Sequence, residues 1–144
     1  MNRKTLKNPT PYNKSGHIGL SPTISYESGY NYPVFCLKYL HKNYDIDTCV
    51  SCSDRKFLKG FVKKLKTLSD LSWTDIQLSD CRGHGAEKIA SKSIKPSMST
   101  KISEDVKDFL SFRFAGDEGR IIGFRSSNIF HITFIDIDLT VYDH

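Results

Sequence analysis

The feature that most constrains this chain is its C-terminal stretch, Phe109 to His144, which reads FLSFRFAGDEGRIIGFRSSNIFHITFIDIDLTVYDH. Apolar runs alternate there with turn residues. Phe109 to Phe114 is followed by a break at Gly116, Asp117, Glu118 and Gly119; Arg120 to Phe124 by a break at Ser126, Ser127 and Asn128; Ile129 to Tyr142 closes the chain. β-Branched and aromatic residues fit a pleated, half-buried surface, and short polar connections bring successive strands back antiparallel. The stretch predicts a β-meander, which the upstream residues must cover.

The cover is written in helical periodicity. From Arg55 to Leu68, the apolar residues Phe57, Leu58, Phe61, Val62, Leu65 and Leu68 recur at the spacing of one helical face, and Arg55, Lys56, Lys59, Lys63, Lys64 and Lys66 fill the rest. Asp54 is placed as the N-cap, because its carboxylate can accept the first orphan amides. A second, shorter helix is expected over Ser72 to Leu78, with Trp73 and Ile76 facing inward. Pro33 to Leu40 reads as a first strand, its proline at the position where a missing amide is tolerated. Ser79 to Lys95 is less regular, with a short strand or turn near Ile89, and Pro96 to Ser103 is a polar loop. Residues 1–32 are rich in Pro, Gly, Ser, Asn and Tyr and show neither period. The expectation is an α+β domain over 33–144: a mostly antiparallel sheet of four to five strands with two helices packed on one face, preceded by an irregular N-terminal arm over 1–32.

Length and charge bound the function. At 144 residues the chain can bury a real core as one domain. Twenty-one Lys and Arg against sixteen Asp and Glu give a net charge of +5. That surplus is a modest argument for a polyanionic partner, since phosphate backbones reward clustered cations; a basic surface kept for solubility explains it equally well. Even Ile129 to Leu139 contains His131, Asp136 and Asp138, so no bilayer-spanning stretch is expected. The basic N-terminus lacks the apolar block of a secretion signal, which predicts a cytoplasmic protein with no membrane partner. GxSxG, HExxH and a phosphate-cradling glycine loop are all missing from the sequence.

The order β-α-α-β-β-β, the cationic first helix, the spacing of Arg113-Phe114 to Arg120-Ile121-Ile122, the HGAEKI stretch ahead of the meander and the terminal VYDH together resemble the RelE/YoeB/HigB-like toxins of bacterial toxin–antitoxin modules. The resemblance covers residues 33–144. It implies a RelE/ParE-like fold, a cognate antitoxin as partner, and metal-independent endoribonuclease activity on mRNA at the ribosome, with no cofactor. In that chemistry the ribose 2′-oxygen attacks the adjacent phosphate and expels the 5′-oxygen. A base, an acid and cations for the developing charge are required. The resemblance implies Glu87 or His84 as base, Arg113, Arg120 and Lys88 on the phosphate, and His144 as acid, with Tyr142 orienting it or stacking on a base. Arg55, Lys59, Lys63 and Arg125 are the implied RNA-binding cations. The chain departs from the pattern after its last strand, where Asp136 and Asp138 stand in place of the basic residue of some members, and carboxylates there would repel RNA.

Other readings stay open. Arg113 and Arg120 can simply pair with Asp117 or Glu118 across a hairpin, and His131 alternates with Phe130 and Ile132 as a structural residue would. His144 can be a frayed terminus. Cys49, Cys52, Cys81 and His84 form a CxxC…CxxH set, the alternative being a zinc-stabilised module that binds nucleic acid or protein without catalysis. A ParE-like gyrase poison belongs to the same alternative.

Overall fold

The structure, a computed structural model, describes residues 31–45 and 55–144. Asp54, Cys49 and Cys52 lie outside the described residues, as does nearly all of the expected arm. The remainder forms an α+β architecture in the order β1 (Val34–Cys36), α1 (Arg55–Ser69), α2 (Trp73–Leu78), β2 (Glu87–Ala90), β3 (Asp108–Phe114), β4 (Gly119–Ser126) and β5 (Ile129–Asp136). The five strands make one open sheet in the order β1-β5-β4-β3-β2. Three pairings are antiparallel; β1 runs parallel to β5, with Val34 opposite Ile129. Asn31–His144 forms a single compact unit.

Strand alternation divides the core in two. Phe112, Phe114, Ile121, Phe130 and Ile132 face α1 and α2, where they meet Phe61, Leu68, Trp73 and Ile76. Ser72 caps α2 by accepting from the Asp75 amide while Asp75 reaches back to the Ser72 amide, a reciprocal capping box that sets Trp73 at the first helical position. The Trp73 indole then donates to the Asn128 carbonyl at 3.1 Å. Each such buried side chain contributes about 1.5–3 kcal/mol.

The second face holds Ile89, Phe109, Ile122, Phe124 and Phe134, covered by Ile94 and Ile102 from the β2–β3 connection and by Val141 and Tyr142 from the chain end. The connection expected to be a polar loop thus carries part of the core. A bulge makes both faces of β5 apolar. Ile122 pairs with Phe134 while Gly123 pairs with Ile132, so Thr133 is the extra residue and parity flips beyond it. Gly123 allows this closeness, since a Cβ there would stand 2.0 Å from the His131 carbonyl oxygen.

Two expectations need correction. Leu58 and Val62 do not join the inward stripe of α1: they are 39% and 63% exposed. At about 100° per residue they sit well round from Phe57 and Phe61, and one flat sheet can bury only the central stripe. The last strand ends at Asp136, not Tyr142. Asp136 is fully buried, and its carboxylate accepts the amides of Thr140 and Val141 at 3.0 Å each, turning the chain back over the sheet with Leu139 at φ 57°. Asp136 therefore presents no carboxylate to a ligand, and of the expected acidic pair only Asp138 is exposed.

Candidate functional site

On the second face, polar residues gather at the end of the sheet next to the β3–β4 hairpin. The ladder places Glu87 opposite Ser111 and Arg113 opposite Arg120, all on the face that Tyr142 covers. The Tyr142 hydroxyl is 3.1 Å from Glu87 Oε2 and 3.0 Å from Ser111 Oγ. The His144 ring lies against Tyr142, with centroids 4.2 Å apart. Burial, with the Glu87 carboxylate adding to it against the opposing Ser111 hydrogen bond, raises the Tyr142 pKa, so its phenol stays protonated. It acts as a donor, fixing the Glu87 carboxylate in place.

The two arginines are held by the hairpin. Ala115, Gly116 and Asp117 all have positive φ (51°, 63° and 85°), and this tight turn brings the Asp117 carboxylate back to Arg113 Nη1 at 2.8 and 3.0 Å. The ion pair raises the Arg113 pKa further. Arg120 is buried, and its Nη1 donates to the carbonyls of Asp117 at 2.8 Å and Gly119 at 3.0 Å. Two cations directly opposite one another in a ladder repel. Here they share the Asp117 carboxylate, while each oxygen of Asp136 accepts a backbone amide. The Nε atoms of both arginines are buried without a hydrogen-bond partner among the described residues.

A cavity of about 410 Å³ adjoins the cluster, lined by Arg82, Gly83, Arg113, Phe114, Gly116 and Asp117. Arg82 rides on the turn before β2, where the amides of Gly83 and Gly85 both donate to the Asp80 carbonyl. The Lys64 ammonium ties this turn to α1 through the Gly83 carbonyl at 3.1 Å, and burial lowers its pKa.

The structure thus brings together Glu87, Arg113, Arg120, Tyr142 and His144. Lys88 alternates to the opposite face from Glu87 and pairs with Asp108 at 3.2 Å. His84 is exposed on the preceding turn, with no hydrogen bond joining it to the cluster. Arg125 stands at the other end of β4, five residues or about 17 Å from Arg120, with its guanidinium 4.3 Å above the Trp73 ring. Arg55, Lys59 and Lys63 belong to α1, which packs on the helix-bearing face of the sheet. Ser111 and Arg82 were missed by sequence reasoning. A serine at an inward position of FLSFRF was the available signal for the first; Arg82 had none.

Fold and site define a small basic α+β protein whose sheet carries a carboxylate, a phenol, an imidazole and paired guanidiniums at one end. Comparison with known proteins finds no matching family model, curated protein or solved structure. No group of three or more His, Cys, Asp or Glu with metal-binding placement occurs among the described residues, and no described helix is long and apolar enough to cross a membrane.

Proposed function

We propose that this protein is a RelE-like toxin that cleaves mRNA on the ribosome without a metal ion. One observation carries the reading: Glu87, Tyr142, Ser111, His144 and the Arg113–Arg120 pair converge at one end of one sheet face. Glu87 takes the proton of the ribose 2′-hydroxyl, the 2′-oxygen attacks phosphorus, and His144 in its imidazolium form protonates the departing 5′-oxygen. The products are a 2′,3′-cyclic phosphate and a 5′-hydroxyl. Arg113 offers Nη2 to the phosphorane oxygens, since Asp117 occupies only Nη1 and Nε is buried. Arg120 acts through position, bracing the hairpin that aims Arg113. Cognate antitoxin, ribosome and mRNA are the partners of this reading, and the cytoplasm its setting.

A second reading, a non-catalytic binding module, is favoured by the Arg113–Asp117 pair, which already satisfies part of the guanidinium. Inducible expression in a bacterium, with growth followed and new mRNA 5′ ends mapped, separates the two. Toxin action predicts arrest with codon-associated cleavage, relieved by Arg113→Ala or by deletion of His144 in a protein that still folds. Arrest with intact mRNA, or persistent cleavage in both variants, contradicts this assignment of the site.

A further inference from the structure

The outer face of α1 is unlike the rest of the surface. Leu58 and Val62, one helical turn apart, are 39% and 63% exposed, and they lie on a broad open surface lined, among the described residues, by α1 alone. Arg55, Lys59 and Lys63 flank this stripe. Two other cations of the helix have partners, Lys56 with Glu118 at 2.8 Å and Lys66 with Asp70 at 2.5 Å. Arg55, Lys59 and Lys63 make neither an ion pair nor a side-chain hydrogen bond among the described residues. Lys56 and Lys66 line the same surface, so the stripe is bordered by five cations of which Arg55, Lys59 and Lys63 have no compensating carboxylate among the described residues.

We propose that this face docks an acidic amphipathic helix of a partner protein. Charge complementarity supplies the sign: three uncompensated cations in about two turns call for carboxylates at matching spacing. The stripe supplies the class. Leu58 and Val62 are aliphatic and offer no ring on which a nucleobase could stack, whereas a partner's Leu or Ile at i and i+4 packs on them directly. A helix of fifteen residues is about 22 Å long, enough for three to four turns of an antiparallel or parallel partner. The chain's own first thirty residues are poorly matched in charge, carrying Arg3, Lys4, Lys7 and Lys14 against Glu27 alone. This surface lies across the sheet from the Glu87–Tyr142 cluster and does not depend on the reaction proposed there.

The test is selection of a displayed library of random helical peptides on the full-length protein, with affinities of the selected peptides then measured by fluorescence anisotropy. Selected sequences should be enriched in Glu and Asp, with apolar residues at i and i+3 or i+4. Binding should fall at least tenfold for the double substitution Leu58→Ser with Val62→Ser, and equally for Lys59→Glu with Lys63→Glu. Exchanging the peptide's Glu for Lys should restore binding to the charge-reversed protein but not to the serine variant. All four positions are exposed, so unchanged circular dichroism and melting are expected of both variants. Peptides without acidic enrichment, or indifferent to both variants, overturn the proposal. So does tighter binding of single-stranded RNA or of phosphatidylserine vesicles that is lost in the serine variant.

Discussion

The two faces of the sheet are built from alternate residues of the same strands, yet they differ in kind. On the helix face, Phe112, Phe130, Ile121 and Ile132 meet Trp73 and Leu68, and the buried polar residue Ser72 is spent on capping α2. On the other face, Ser111, Arg120 and Asp136 are buried among Phe109, Ile122 and Phe134. Burying polar groups costs stability unless each is hydrogen-bonded, and even then an apolar replacement is often no worse. The first face is what the fold needs to exist. The second carries polar side chains that packing alone does not require, and it is where a function should be sought.

The comparison breaks most sharply at the centre of β3. Phe112→Ala removes a fully buried ring from the helix face and should cost about 3–5 kcal/mol, read as a lower midpoint in urea with an unchanged slope. A loss below about 1 kcal/mol would mean that the helices contribute little to this core. On the second face, Asp136→Ala strands one buried amide and one half-buried amide and should cost about 2–3 kcal/mol. Asp138→Ala, two residues away and exposed, should stay within about 0.5 kcal/mol. Equal effects at the two positions would show that the carboxylate cap does not hold the chain end over the sheet.

That contrast between two neighbouring aspartates also marks what sequence can and cannot show. Period-2 alternation located the strands of the meander, and the α1 stripe located the helix, because both follow from local geometry. The bulge at Thr133 and the buried turn at Asp136 depend on cross-strand register and on backbone amides four and five residues onward. The unbroken apolar pattern of IFHITFIDIDLTVY therefore read as one long strand. Glu87 and Tyr142 stood out singly, but their hydrogen bond joins residues fifty-five apart. Nothing local to either encodes it. Lys88 looked equivalent to Glu87 until the pleat sent the two to opposite faces.

A gentler comparison lies along the second face itself, between its arginine end and its His131 end. His131 stacks on Phe124, with centroids 4.8 Å apart, and Nδ1 is buried without a partner among the described residues. Burial, and secondarily the charge of Lys38, lowers its pKa. The unfolded chain takes up a proton near the ordinary value of about 6.5 while the native state still resists it, so the unfolded state binds more protons in that window. Stability should therefore fall as pH drops from about 7 to 5, a slope measured by melting temperature and flattened in His131→Phe. An identical slope in that variant would assign the effect to other groups.

The central claim is that the polar end of the second face is a reaction centre. Its most direct test is cleavage of an end-labelled mRNA on purified, programmed ribosomes, with EDTA added after ribosomes are crosslinked, comparing the unaltered protein with Glu87→Gln and Tyr142→Phe. The account predicts metal-independent cleavage leaving a 2′,3′-cyclic phosphate. Glu87→Gln should slow it by about 10²–10⁴-fold, the usual contribution of a positioned proton acceptor, and Tyr142→Phe should have a smaller effect. Undiminished cleavage by Glu87→Gln, or none by the unaltered protein, would contradict it.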